Sequence, residues 1–151
     1  MSTTIAYKDL YETDFFAWTQ MQADFIKKKE FNKIDIVHLE EELESMGASE
    51  QRSLESKLTQ LIMHLLKLQY QPNYINRKSW VRSVKFQRND IRRILEKNPS
   101  LKSRLDAIVA DIYENALLMA AEETALEEAD FPSQCEWKVE EILNPLYFPY
   151  S

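Results

Sequence analysis

The sequence predicts an all-α domain, and three observations carry that prediction. Gly47 is the only glycine among 151 residues, so the positive-φ turns on which tight β-hairpins depend have almost nothing to occupy them. Apolar residues recur at spacings of three and four along most of the chain, as helices with a buried face require. The five prolines fall where such runs stop or restart, at Pro72 and Pro99, and in a C-terminal segment at Pro132, Pro145 and Pro149. With 44% hydrophobic and 29% charged residues the balance is globular. A chain of this length buries roughly 70% of its unfolded surface without a disulfide or metal staple. One helical domain spanning residues 1–151 is expected.

The elements follow in order. Tyr7, Leu10 and Tyr11 read as an aromatic lead-in, and Asp14 as the cap of a first helix. Phe15, Trp18, Gln22, Phe25 and Ile26 lie on that helix at helical spacing, and Lys27, Lys28 and Lys29 close it where positive charge suits the macrodipole. A second helix starts at Asp35, with Ile34 and Leu39 spaced as a hydrophobic staple. Leu39, Leu43 and Met46 form its apolar stripe, and Gly47 offers a break or kink. A third helix runs from Ser49 to Gln71, with Leu54, Leu58, Leu61, Leu65 and Leu68 on one face. Ile62, Met63 and Leu66 widen its apolar surface almost to the full circumference, which places it at the centre of a bundle. Ser79 is a cap for a fourth helix, which carries Trp80, Val84, Gln87, Ile91 and Leu95. After Asn98-Pro99 a fifth runs from about Ser100 to Glu123. The aromatic, Pro-rich tail from Phe131 onward, with a short helix at Val139 to Leu143, is expected to dock on a bundle of about five main helices.

Composition excludes several function classes. One glycine leaves no Walker loop and no dinucleotide fingerprint, so no cofactor is expected. A lone cysteine, Cys135, gives no disulfide framework. The polar start of the chain does not read as a signal peptide, and no run approaches the ~18 apolar residues of a spanning helix. A cytoplasmic protein with no membrane partner is expected. The net charge of −6 is strongly segregated: residues 67–104 carry eleven basic and two acidic side chains, whereas residues 105–151 carry one basic and eleven acidic. Arg77, Lys78, Arg82, Lys85, Arg88, Arg92 and Arg93 either present a cationic surface to nucleic acid or pair with acidic neighbouring helices. The acidic whole, and the spread of Arg82, Arg88 and Arg92 around the helix, favour pairing. Nucleic-acid binding through 77–104 remains an alternative.

One polar stripe interrupts the apolar third helix. Gln60, His64, Lys67 and Gln71 recur at four, three and four residues and so stack along one side. If Gly47 lets the second and third helices pack antiparallel, Glu41 or Glu44 faces His64. A Glu–His pair supplies a general base; the same carboxylates with His64 supply metal ligands, as in di-metal bundles; Lys67 with Arg88 supplies an anion site. Glu41, Glu44, His64 and Lys67 are therefore the candidate catalytic residues, and Glu41, Glu44 and His64 the candidate metal ligands. Against the metal, no Glu-x-x-His pair occurs and His38 is the only other histidine. The plainer alternative is that His64 is a hydrogen-bonded core residue and the glutamates a solvated face. Gln71, Trp80, Arg82, Arg88 and Arg92 are candidate binding residues. Cys135, in an expected loop without a histidine neighbour, is a poor nucleophile.

Tyr7 to Trp18, Leu39 to Gly47, Met63 to Pro72, Ser79-Trp80 and Phe131 to Cys135 together resemble the bacterial proteins of domain of unknown function family twenty-nine. The resemblance extends over nearly the whole chain and implies an uncharacterised all-α protein. It also marks Glu41, Glu42, Glu44, His64, Lys67, Gln71 and Trp80 as family features. Leu68 stands where the family often has Trp, and Glu136 where Pro is common. No activity comes with the resemblance. The function expected is a helical protein-interaction module without catalytic activity, working through a partner protein or as a homo-oligomer. An enzyme or metal-binding protein using the Glu/His/Lys stripe is the alternative.

Overall fold

The computed structural model describes residues 10–149, which contain helices and no strand. The α-helices are α1 (Phe15–Lys27), α2 (Ile36–Tyr70), α3 (Arg77–Lys97), α4 (Leu105–Glu122) and the short α5 (Val139–Leu143). Residues 10–13 add a helical turn before α1. The all-α prediction holds, but four long helices replace five main ones, because the second and third expected helices are a single 35-residue α2. Gly47 does not break it, since the helix is continuous from Ile36 to Tyr70. Glycine weakens a helix interior by only about 1 kcal/mol, and the residues on both sides favour the same helix. The chain forms two compact units, one ending at Ala48 and one beginning at Ser49. No described helix is long and apolar enough to cross a membrane.

The N-terminal unit is assembled around capping groups. Asp14 accepts from the Ala17 amide at 3.1 Å and starts α1. The helix ends in a left-handed cap. Glu30 N–H donates to Phe25 C=O at 2.8 Å and Lys29 N–H to Ile26 C=O at 3.0 Å, with Lys29 at φ 59°. That pattern is a Schellman motif, whose left-handed position normally takes glycine. Asp35 then caps α2, accepting from the His38 amide at 3.3 Å. The expected stripe of Leu39, Leu43 and Met46 is mostly on the surface: Leu43 is 59% and Met46 65% exposed. Tyr7 lies outside the described residues.

The C-terminal unit is built around α2 from Leu54 to Leu68, where Leu54, Leu58, Leu61, Ile62, Leu65, Leu66 and Leu68 are at most 1% exposed. Val84, Ile91 and Leu95 of α3 and Leu105, Ile108, Val109, Ile112 and Ala116 of α4 join the same core. The chain turns after Tyr70, next to Pro72, as expected. α3 begins two residues before Ser79, with Asn76 at the cap position and no side-chain cap bond. The segment after Asn98-Pro99 is first a 3-10 turn, Pro99–Arg104, and becomes α-helical only at Leu105. The tail docks as expected, with Phe131 and Ile142 buried in the core and Trp137 and Phe148 packed against it.

Two substitutions test the backbone reading together. Gly47→Ala is expected to stabilise the protein by about 0.5–1 kcal/mol, since nothing lies within 4 Å of the added Cβ. Lys29→Gly is expected to stabilise it by about 1 kcal/mol by removing the left-handed penalty. Urea unfolding of each variant checks both, and a loss of stability in either would refute the conformation assigned there.

Candidate functional site

The polar stripe of α2 meets α3 and the end of α4. Lys67 is 3% exposed, and such an ammonium needs compensation in a core. Its Nζ donates to Glu123 Oε1 at 2.8 Å and lies 4.8 Å from the centre of the Trp80 ring. Glu123 is the residue that caps the C-terminal end of α4. Trp80 in turn stacks on Tyr74, with ring centres 5.1 Å apart. The carboxylate that serves the stripe therefore comes from α4. Glu41 and Glu44 belong to the same continuous helix as His64, so the turn that would fold them back onto it does not form. Both are exposed.

His64 is half-buried, and its Nδ1–H donates to the Gln60 carbonyl at 2.8 Å. That bond fixes the tautomer and leaves the lone pair on Nε2. Burial lowers the pKa of His64 below the usual 6.5; the hydrogen bond to Gln60 and the Glu123 charge oppose this, and the Lys67 charge adds to it. The ring is thus a neutral imidazole beside an ammonium–carboxylate pair. Gln71, one residue past the end of α2, has a buried Oε1 with no hydrogen-bond donor. Chemically, the cluster offers a base at Nε2 and a fixed cation at Lys67. Among the described residues no group of three or more His, Cys, Asp or Glu side chains is arranged to hold a metal ion.

The remaining binding candidates separate. Arg88 is buried; its Nε donates to Ile142 C=O at 2.8 Å and its Nη2 to Glu141 C=O at 3.3 Å. Arg82 and Arg92 are exposed, and Arg92 holds Glu96 at 3.0 Å and Asn89 at 2.6 Å. These two lie only roughly 80° apart at 100° per residue, so both face solvent on one side of α3. The ion pairs of this basic segment reach mainly α2: Lys97 meets Glu50 at 2.6 Å and Asp90 meets Lys57 at 3.1 Å. The acidic α4 contributes little to them. Cys135 is half-buried, and burial raises its thiol pKa, so it carries little thiolate.

Sequence reasoning missed a second polar cluster, in the N-terminal unit, because it read Asp35 only as a cap. Asp35 also accepts from Trp18 Nε1 at 3.1 Å and from His38 Nδ1 at 2.7 Å. Its own amide donates to Gln22 Oε1 at 2.7 Å. Tyr11 stacks on His38 with 3.9 Å between ring centres and donates to Glu42 at 2.7 Å. Burial pushes the Asp35 carboxyl up, but the bonds from His38 and Trp18 outweigh it and hold the pKa below the usual carboxylate range. The hydrogen bond to Glu42 pushes the Tyr11 phenol up to about 12. The available signal was the i, i+3 pair Asp35 and His38 following Trp18 and Gln22 at i, i+4.

Fold and site together define an all-α domain with a neutral histidine and a paired, buried lysine in its core. The chain belongs to the family described as domain of unknown function DUF29, whose model matches residues 10–148. No curated protein and no solved structure matches it.

Removing either partner of the Lys67–Glu123 pair is expected to have unequal effects. Glu123→Ala leaves an uncompensated ammonium and costs about 1–3 kcal/mol; Lys67→Met replaces it with apolar volume and stays within about 1 kcal/mol of wild type. Thermal unfolding of both variants measures this, and equal losses would show that burial of Lys67 carries no charge penalty. A pH series tests His64. The unfolded histidine takes up a proton near pH 6.5, and the folded one only at lower pH. The stability it contributes is therefore complete above 6.5 and lost as pH falls from there through the folded value. His64→Gln is expected to flatten stability between pH 7 and 5 relative to wild type, and parallel curves would refute the shift.

Proposed function

We propose that this chain is a cytoplasmic, non-catalytic helical interaction module whose N-terminal unit docks an amphipathic helix of a partner protein. The observation that carries the reading is the first part of α2. Ile36, Leu39, Leu43 and Met46 recur at three, four and three residues, and Ile36 is 66%, Leu43 59% and Met46 65% exposed. Single exposed apolar residues are ordinary, whereas an aligned set marks a contact surface. Phe16 and Phe31, 73% and 58% exposed, add aromatic side chains of the kind that anchor interfaces. Glu40 and Glu44 are exposed on the same helix. The complementary partner is thus a helix with an apolar stripe bordered by Lys or Arg.

A second reading, an enzyme acting through the stripe, is favoured by the open lone pair of His64 Nε2 next to Lys67 and Glu123. It predicts that a substrate with an acidic proton and a negative charge occupies that cluster.

Leu43→Glu/Met46→Glu tests the docking reading. Wild type is expected to bind a designed helical peptide with leucines at i, i+3, i+4 and i+7 and flanking lysines, followed by fluorescence anisotropy. The variant is expected to bind at least tenfold more weakly at unchanged melting temperature. Sedimentation in parallel tests a second copy: concentration-dependent dimerisation abolished by the variant would replace the partner helix with a homo-oligomer. Failure of wild type both to bind and to self-associate would sink the reading.

A further inference from the structure

We propose that the C-terminal unit contains a binding site for a small organic anion, a carboxylate or phosphate carried on an apolar body, in the cavity beside Arg88. This is separate from the docking surface and uses other residues.

The site begins with an incomplete hydrogen-bond account. Arg88 is 6% exposed and reaches across to the last turn of α5, where its Nε and Nη2 serve the carbonyls of Ile142 and Glu141. The Ile142 carbonyl is one that a short helix leaves without a partner of its own, while the Glu141 carbonyl also accepts from the Asn144 amide at 3.3 Å. The Phe148 ring covers the guanidinium, 5.1 Å from ring centre to Cζ. The remaining nitrogen, Nη1, is buried with no acceptor. Burial lowers the guanidinium pKa to about 10, so the group stays a cation at neutral pH. A buried guanidinium served only by carbonyls keeps an uncompensated charge, and an anion in the cavity that Arg88 lines supplies the countercharge.

Arg88 lines a cavity of about 490 Å³, a volume suited to a small organic molecule. Lys85, Arg92 and Lys102 also line it, with Glu96 as the one carboxylate. Glu96 is held by Arg92, whereas Lys85 and Lys102 have no ion-pair partner among the described residues. Ile91, Leu95, Leu143 and Pro145 form the apolar walls. Basic side chains, a guanidinium without a countercharge and hydrocarbon lining one cavity describe an amphiphilic anion. A bare ion would leave the apolar walls without contacts, and a neutral hydrocarbon would leave the charges of Arg88, Lys85 and Lys102 without a counterion.

The cationic solvent face of α3 adjoins this cavity, so the experiment must separate a small ligand from a nucleic-acid backbone. Octanoate, phenyl phosphate, inorganic phosphate and a mixed-sequence RNA oligonucleotide are titrated by calorimetry into full-length wild type, Lys85→Ala/Lys102→Ala and Arg82→Ala/Arg93→Ala. The proposal expects octanoate or phenyl phosphate to bind at least tenfold more tightly than inorganic phosphate. It expects that affinity to fall at least tenfold in Lys85→Ala/Lys102→Ala at unchanged melting temperature, and to persist in Arg82→Ala/Arg93→Ala. No binding of either organic anion at millimolar concentration would overturn it. So would equal binding of phenyl and inorganic phosphate, or undiminished binding by Lys85→Ala/Lys102→Ala. RNA binding lost in both double variants, with organic anions inert, would make the face a phosphate-backbone surface instead.

Discussion

The segment of α2 from Leu54 to Leu68 is apolar on almost every side, and the C-terminal unit follows from that constraint. A helix with one apolar face can be covered by one neighbour. A helix buried around its circumference must be covered by several, and α3, α4 and the tail with Phe131 and Ile142 all contribute to one core. Burial of each leucine is worth about 1.5–3 kcal/mol relative to exposure, so a run of them outweighs the entropy of ordering a tail that has few regular hydrogen bonds of its own. The aromatic residues of that tail are used as cover.

Three polar groups of this unit are tied to helix ends or to the segment leading into the tail. Lys67, near the end of α2, is neutralised by the residue that caps α4. Arg88 provides hydrogen-bond donors to the final carbonyls of α5. Tyr113 donates to Pro132 C=O at 2.7 Å and pins the segment leading into the tail. These contacts fix the positions at which helices stop, a specificity that hydrophobic burial alone does not supply because it is non-directional. Arg88 is the case in which one donor is left over.

The N-terminal unit is organised differently. Trp18 and Gln22 are the buried side chains of α1, and they meet Asp35 rather than a leucine-rich surface. Directional bonds converge on one carboxylate, and the apolar side chains of α1 and early α2 remain available to another molecule. A stripe of leucine and methionine reads the same in sequence whether it faces its own core or a partner. For this reason Leu39, Leu43 and Met46 were legible as a stripe but not as a surface. The anion site was legible only in part: Arg88 and Arg92 stood out by charge, while the inward turn of Arg88 and the outward turn of its neighbours depend on which face α3 buries.

The sequence by itself determined the helical class, the apolar circumference of central α2, the caps at Asp14 and Asp35, the stop next to Pro72 and the docked tail. These are local or compositional properties: spacing, side-chain chemistry and the restricted backbone of proline act over a few residues. It also determined that His64 and Lys67 share a side of one helix. Only the tertiary structure decided that α2 continues through Gly47 and that Glu123, rather than Glu41 or Glu44, supplies the carboxylate beside Lys67. Only there did Asp35 become a hub and Arg88 a buried cation. Which carboxylate meets which cation is set by the packing of helices far apart in the chain, and helical spacing carries no information about that pairing.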